Sequence, residues 1–219
     1  VKVDYEYDDN DDLAAVKYTY GVGSSGSFKT TYTYTAGHPV GFMNHLLTSI
    51  TDGRGNKYLE NQYNLDPMGP DSRRVIRQVH GAIGAYNFTY DQEDGFKRRV
   101  VINDRKGNIS VNWFDSSNRT VKRRLYKNPH SNPDVSVAFS ELNGLAYWEW
   151  LWAYEPEFNL LTAARFPDGS TDLYEYALAT APPGSDWRTG ANLVKKMKVP
   201  PPASGTLPFP PSGSSPSEL

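Results

Sequence analysis

The sequence predicts an all-β protein in which tandem antiparallel hairpins lie side by side in one curving wall. Three observations carry that expectation. The first is alternation: the 219 residues include 15 Tyr, nine Phe and five Trp, and Tyr, Thr and Val recur at every second position, the period of a strand with one buried face. The second is punctuation of the apolar runs by Asp-rich and Gly-Asn turns. The third is recurrence of one template. Residues 46–50 lead through Asp52 and Gly55-Asn56 to Tyr63-Asn64. Residues 99–102 lead through Asp104 and Gly107-Asn108 to Trp113-Phe114-Asp115, and residues 159–165 lead through Asp168-Gly169 to Tyr174-Glu175-Tyr176. A hairpin of about 20–30 residues is not stable alone, so such units share a continuous buried face with their neighbours.

Taken in order, residues 1–7 place Val1, Val3, Tyr5 and Tyr7 on one face and Lys2, Asp4 and Glu6 on the other, as in a half-buried strand. Asp8-Asp9-Asn10-Asp11-Asp12 then turns the chain. Its oxygens suit calcium, but the central Gly and the closing Glu of a calcium loop are missing, so it reads as a turn. Residues 13–20 and 28–35 form a hairpin across residues 21–27. The spacing of Gly21, Gly23 and Gly26 is formally a dinucleotide fingerprint, yet a strand follows where a helix must hold the pyrophosphate. Residues 37–44 turn into the first template copy, and Asp66-Pro67-Met68-Gly69 opens a Pro-rich loop after it. Strands follow at 74–79 and 86–91, the latter with Tyr86, Phe88 and Tyr90 on one face, before a tight turn at Asp94-Gly95.

The second copy runs to Asp115, residues 116–118 turn, and 120–126 form the return strand. A break at 127–133 precedes a short strand at 135–139 and an aromatic-rich stretch at 144–154. After the third copy, Ala181-Pro182-Pro183-Gly184 interrupts. Residues 192–200 repeat the rhythm of 159–167 and open a further unit. Residues 1–200 are thus one repetitive sheet. Residues 201–219 are a Pro/Ser-rich extended tail with too few core formers to fold alone.

Bulk properties bound the function. A net charge of -2 and a pI near 6.1 argue against a general binder of nucleic acid or membrane surfaces. There is no Cys, which removes disulfides and thiolate metal sites. No apolar run approaches the roughly 20 residues of a membrane span. The chain opens inside a strand pattern without a signal peptide, as expected of an internal piece of a longer polypeptide.

At Tyr7-Asp8, Tyr90-Asp91 and Phe114-Asp115, with Gly-Asn turns before two of the aromatic pairs, the chain resembles the YD-repeat or RHS-repeat family over most of residues 1–200. Tyr63-Asn64 and Tyr154-Glu155 look like decayed copies, and Tyr34-Thr35 and Tyr176-Ala177 keep only the Tyr. The resemblance implies a spiral sheet or part of a hollow β-shell. In bacterial toxins of that type the shell encloses a toxic polypeptide, and in animal adhesion relatives it is part of an extracellular scaffold. The implied role is structural and non-enzymatic, in a secreted or cell-surface protein. Its partners are neighbouring repeats or domains of a longer parent chain and an enclosed cargo polypeptide, with no cofactor. Toxin shells end in a self-cleaving segment with repeated Asp-Pro-x-Gly motifs. Here Asp66-Pro67-Met68-Gly69 stands alone inside the repeats and reads as a turn.

The expected structural anchors are Tyr7, Tyr63, Tyr90, Phe114 and Tyr176, whose rings lie on the preceding hairpin. Asp8, Asp91 and Asp115 act as clamps on the backbone amides of their turns. The alternative reading is a carbohydrate-binding face. In a strand, Trp148, Trp150, Trp152 and Tyr154 share one side and present rings to sugars, with Glu149, Glu155 and Glu157 as hydroxyl acceptors. The bland reading makes the same rings core. His38, His45, His80 and His130 lack metal-ligand spacing, and no Ser sits in a nucleophile elbow, so neither a metal nor a catalytic residue is expected. The clusters Lys97-Arg98-Arg99 and Lys122-Arg123-Arg124 read as charged faces that block stray strand pairing, or as grips for phosphate or sulfated glycans. Asn87, Asn108 and Asn118 head glycosylation sequons.

Overall fold

The computed structural model describes residues 1–21, 26–93, 95–96, 98–156, 158–177 and 192–202. Fourteen strands form one antiparallel sheet. They are β1 (Lys2–Tyr7), β2 (Leu13–Tyr20), β3 (Gly26–Tyr34), β4 (Leu47–Thr51), β5 (Lys57–Tyr63), β6 (Val75–Val79), β7 (Ala85–Asp91), β8 (Arg98–Asn103), β9 (Ile109–Phe114), β10 (Thr120–Tyr126), β11 (Tyr147–Tyr154), β12 (Leu161–Arg165), β13 (Thr171–Tyr176) and β14 (Leu193–Val199). Each strand pairs with its neighbours in sequence, so the order in the sheet is the order in the chain. The all-β class and the meander of hairpins agree with the sequence reading. Several expected features lie outside the described residues: the middle of the 21–27 loop, Asp94, Lys97, Glu157, the interruption at 181–184, and the tail beyond Pro202.

One irregularity recurs. Where an odd strand meets the next even strand, the pairing skips one residue beside the odd strand's last aromatic. Tyr7 faces Leu13, Tyr34 faces Leu47, Tyr63 faces Val75, Phe114 faces Thr120, Tyr154 faces Leu161 and Tyr176 faces Leu193, each next to a register shift. The extra residue is the second of the even strand: Ala14, Thr48, Ile76, Val121, Thr162 and Val194. A bulge at a fixed place adds local twist and re-aims the strand ends.

The described residues fall into two compact units. The first comprises residues 1–91, 101–109 and 128–143, and the second residues 92–100, 110–127 and 144 onwards. In the first unit Ala15, Val16, Met43, Ala85, Val101, Ile109, Val137 and Leu142 are buried. Residues 135–139 do not form the expected strand. They lead into a 3-10 turn at Phe139–Leu142, and the Val135 carbonyl, with those of Asn132 and Pro133 just before it, is held by side chains. Asn87 Nδ2 donates to the Pro133 carbonyl at 2.9 Å, and Asn103 Nδ2 donates to Asn132 and Val135 carbonyls at 3.0 and 2.9 Å. The segment therefore lies against the sheet face rather than along an edge. In the second unit the buried side chains include Val100, Val111, Trp113, Tyr126, Ala153, Ala163 and Ala164.

Candidate functional site

The last or next-to-last residue of five of the seven odd strands supplies the best-defined recurring contact. Tyr34, Tyr63, Tyr90, Tyr154 and Tyr176 each donate the phenol hydroxyl to the carbonyl of the first residue of the preceding even strand: Leu13, Leu47, Val75, Thr120 and Leu161. The distances run from 2.7 Å at Tyr63 to 3.1 Å at Tyr34. The hydroxyl satisfies a carbonyl at the strand start and ties the two ends of a hairpin. Burial raises the pKa of Tyr34, Tyr63, Tyr154 and Tyr176. Arg74 and Arg119 lie over the rings of Tyr90 and Tyr154 at 5.1 and 4.9 Å. Phe114 holds the corresponding position in β9 without a hydroxyl. Tyr7, on β1, is 63% exposed.

The turns share a second device. Asp8, Asp52, Asp104 and Asp115 each accept, through Oδ1, the backbone N–H groups two and four residues on, at 2.8–3.0 Å. Three residues after each Asp stands a residue with positive φ: Asp11, Gly55, Gly107 and Asn118. Gly107 has no alternative, because a Cβ there would overlap the His130 carbonyl. Burial opposes ionisation of Asp104, but the Asn108 amide and the Lys106 and Asn108 backbone N–H groups hold its pKa low. Burial likewise opposes ionisation of Asp115, and Arg119 outweighs it with a salt bridge of 2.7 Å. Asp91 ends β7.

A charged and aromatic cluster occupies one face of the second unit. Cross-strand register sets Lys122 opposite Trp113 and Arg124 opposite Val111 and Glu149. Trp113 is fully buried, and its Nε1–H donates to Glu93 Oε2 at 2.6 Å, which also accepts from Arg99 Nη1 at 2.6 Å. Lys122 Nζ lies 4.1 Å from the Trp113 ring centre and 4.7 Å from that of Phe96. Arg124 donates to Glu149 at 2.7 Å while its guanidinium sits 4.0 Å over Tyr147. Burial pulls the Lys122 ammonium below its ordinary pKa, although Glu93 pushes the other way.

The opposite face of β11 carries the tryptophans. Trp148 is 44% exposed, Trp150 and Trp152 are half-buried, and the four expected rings do alternate onto one side of the strand. They do not act as one platform. Tyr154 is committed to Thr120 and Arg119, and Trp152 stands opposite Ala164. Trp148 and Trp150 instead line an open trough of about 570 Å³ with Phe166, Asp168, Asp172 and Lys198. Sequence reasoning did not single out Phe166, Asp172 or Lys198, and took Asp168 only as the turn of the third template copy. They meet the tryptophans through a row that no sequence spacing displays: Trp152 pairs with Ala164, Ala164 with Asp172, and Asp172 with Lys198. Small Ala164 leaves the row low. Asp168 accepts the Ser170 hydroxyl and backbone N–H at 2.7 and 2.9 Å, which lowers its pKa. Asp172 pairs with Lys196 at 2.9 Å.

The remaining candidates are engaged locally. His38, His80 and His130 contact Val40, Gln78 and Asn132, and His45 contacts Asp12 at 2.9 Å. No cluster of three or more His, Asp or Glu with the disposition of a metal site occurs among the described residues. Asp66 accepts from Met68 N–H within a turn. Of the sequon asparagines, Asn87 is 3% exposed, and Asn108 donates its amide to Asp104 at 2.8 Å. Asn118 is exposed at a turn tip. Arg98, Arg99, Arg123 and Arg124 all engage partners within the sheet. Among the described residues no helix is long and apolar enough to cross a membrane. No protein-family model matches the chain, and no curated protein matches it in sequence.

Proposed function

We propose that the chain is a non-enzymatic structural module of a secreted or cell-surface protein, a section of a shell of YD-repeat type that encloses or displays another polypeptide. The observation that supports it most is the recurring tyrosine hydroxyl bond across successive hairpins. The bonds at Tyr34, Tyr63, Tyr154 and Tyr176, each beside a bulge, repeat one local geometry along a sheet whose strand order never departs from chain order. That is the economy of a wall, where stability is a sum over neighbours. The test is limited proteolysis of the native parent product, followed by mass spectrometry. A polypeptide that stays intact with the wall and becomes cleavable once the wall is unfolded supports the reading. Equal cleavage before and after unfolding removes it.

A second reading is favoured by one observation, the exposed Trp148 beside the trough: a carbohydrate-binding face on β11. A glycan array with Trp148→Ala and Trp150→Ala controls tests it.

A further inference from the structure

The glycan reading leaves open where on β11 a sugar sits and which sugars fit. The trough narrows both. Its Trp wall is one-sided: Arg123 pairs across from Trp150 on the β10 flank and lies 6.0 Å from its ring, whereas Phe166, Asp168, Asp172 and Lys198 all come from β12 to β14 or the turns between them. Trp148 and Trp150, two residues apart, stand about 6.6 Å from one another along the strand. Together with Phe166 they offer apolar surface to more than one ring. The volume of about 570 Å³ is within the range of roughly 300–1,000 Å³ that holds small ligands.

The polar side of the trough decides the ligand's charge. Asp172 is matched by Lys196 at 2.9 Å, and Lys198 lies in the field of Asp168. Among the described residues the acids and cations of the lining therefore cancel in pairs, and the cations nearest the Trp wall, Lys127 over Trp148 at 5.3 Å and Arg123 over Trp150 at 6.0 Å, are engaged by those rings and stand outside the lining. Asp168 spends Oδ1 on Ser170 and keeps Oδ2 as an acceptor for a hydroxyl. Resting on the glycan reading, we propose that the trough bounded by Trp148, Trp150 and Phe166 binds a short neutral oligosaccharide, with Asp168 and Lys198 bonding its hydroxyls. Trp152 and Tyr154 lie outside the site.

The test titrates the full chain with cellotetraose, laminaritetraose, mannotetraose and a sulfated heparin tetrasaccharide at millimolar concentration, following tryptophan fluorescence and calorimetric heat. The expected result is saturable binding of at least one neutral tetrasaccharide. It weakens about tenfold or more in Trp148→Ala and in Asp168→Asn, the loss expected for one stacked ring or one charged hydrogen bond, and is unchanged in Trp152→Phe. Trp148 and Asp168 are exposed, so these variants leave the core intact. Binding that survives both variants but is lost in Trp152→Phe overturns the placement while sparing the glycan reading. Binding of the sulfated probe alone overturns the neutral class. No binding by any probe overturns the inference and the glycan reading together.

Discussion

In the first unit the face of β7 and β8 is roofed by chain, residues 128–143, whereas in the second the face of β10 and β11 is roofed by side chains. The chain roof brings backbone carbonyls against a sheet, and these need donors that the sheet's own amides cannot supply. Asn87 and Asn103 supply them, at 3% and 0% exposure. The side-chain roof is made of cations: the Lys122 ammonium and the Arg124 guanidinium lie over the Trp113 ring, and the guanidinium also lies over Tyr147. Buried strand residues are thus polar amides in one unit and an indole in the other. The large buried ring is met by side chains, Glu93 and Phe96 from the β7–β8 connection and the cations of β10.

That contrast breaks most sharply at Trp113. Trp113→Ala removes the platform beneath two cations and leaves Glu93 with Arg99 but without its indole donor, so a loss of about 3–5 kcal/mol is expected in urea unfolding. A loss under about 1 kcal/mol would mean the cations hold their places without the ring. Asn103→Ala is the matching change in the first unit. It takes the donor from the Asn132 and Val135 carbonyls, on an exposed and a half-buried residue, with an expected loss of about 1–3 kcal/mol, and faster amide exchange across residues 132–138 is the signature. The Asn103 Oδ1 has no partner of its own, which keeps this figure below that for the indole.

The turns sharpen the comparison, because the same Asp clamp serves both units: Asp104 in the first and Asp115 in the second. Both carboxyls have folded pKa values below the ordinary 3.8. Their contribution is therefore complete above that value and is lost as pH falls through it toward the folded pKa, where the unfolded chain takes up protons first. Asp115→Asn is expected to lower the urea midpoint at neutral pH by the equivalent of about 1–2 kcal/mol and to have much less effect near pH 3. An equal effect at both pH values would assign the loss to packing instead of charge.

Much of the wall is legible in the sequence, and what is not has identifiable causes. The strands follow from alternation, and the clamps at Asp8 and Asp115 from an acid placed before a turn. The bulges at Ala14, Thr48, Ile76, Val121, Thr162 and Val194 are not legible, because which residue is skipped depends on the partner strand it is paired with. Residues 135–139 read as a strand since Val135, Val137 and Phe139 alternate. The carbonyls that refuse strand pairing are bound by asparagines 29–46 residues away. At 113–114 the sequence directs attention to Phe114, which precedes the acid, while Trp113 is the ring that is fully buried. The aromatic half of the trough can be read from β11 alone. Its polar half depends on the register of β12 to β14, which only pairing fixes.

The smallest expected effect separates cation from stem in the side-chain roof. Burial lowers the Lys122 pKa, so the folded state binds that proton less tightly than the unfolded chain does. This contribution destabilises at pH values below the ordinary Lys pKa of 10.5 and fades as pH rises through the folded value toward it. Against it stand the attraction to the Trp113 and Phe96 rings and to Glu93, which the ammonium makes and a thioether lacks. Lys122→Met keeps the stem over the indole and removes the buried charge, so stability at neutral pH is expected to change by less than about 1 kcal/mol in either direction. Lys122→Ala, which removes the stem as well, is expected to cost about 1–2 kcal/mol more than the Met variant. Equal losses in the two variants would mean that the charge, and not the covering hydrocarbon, is what roofs this face.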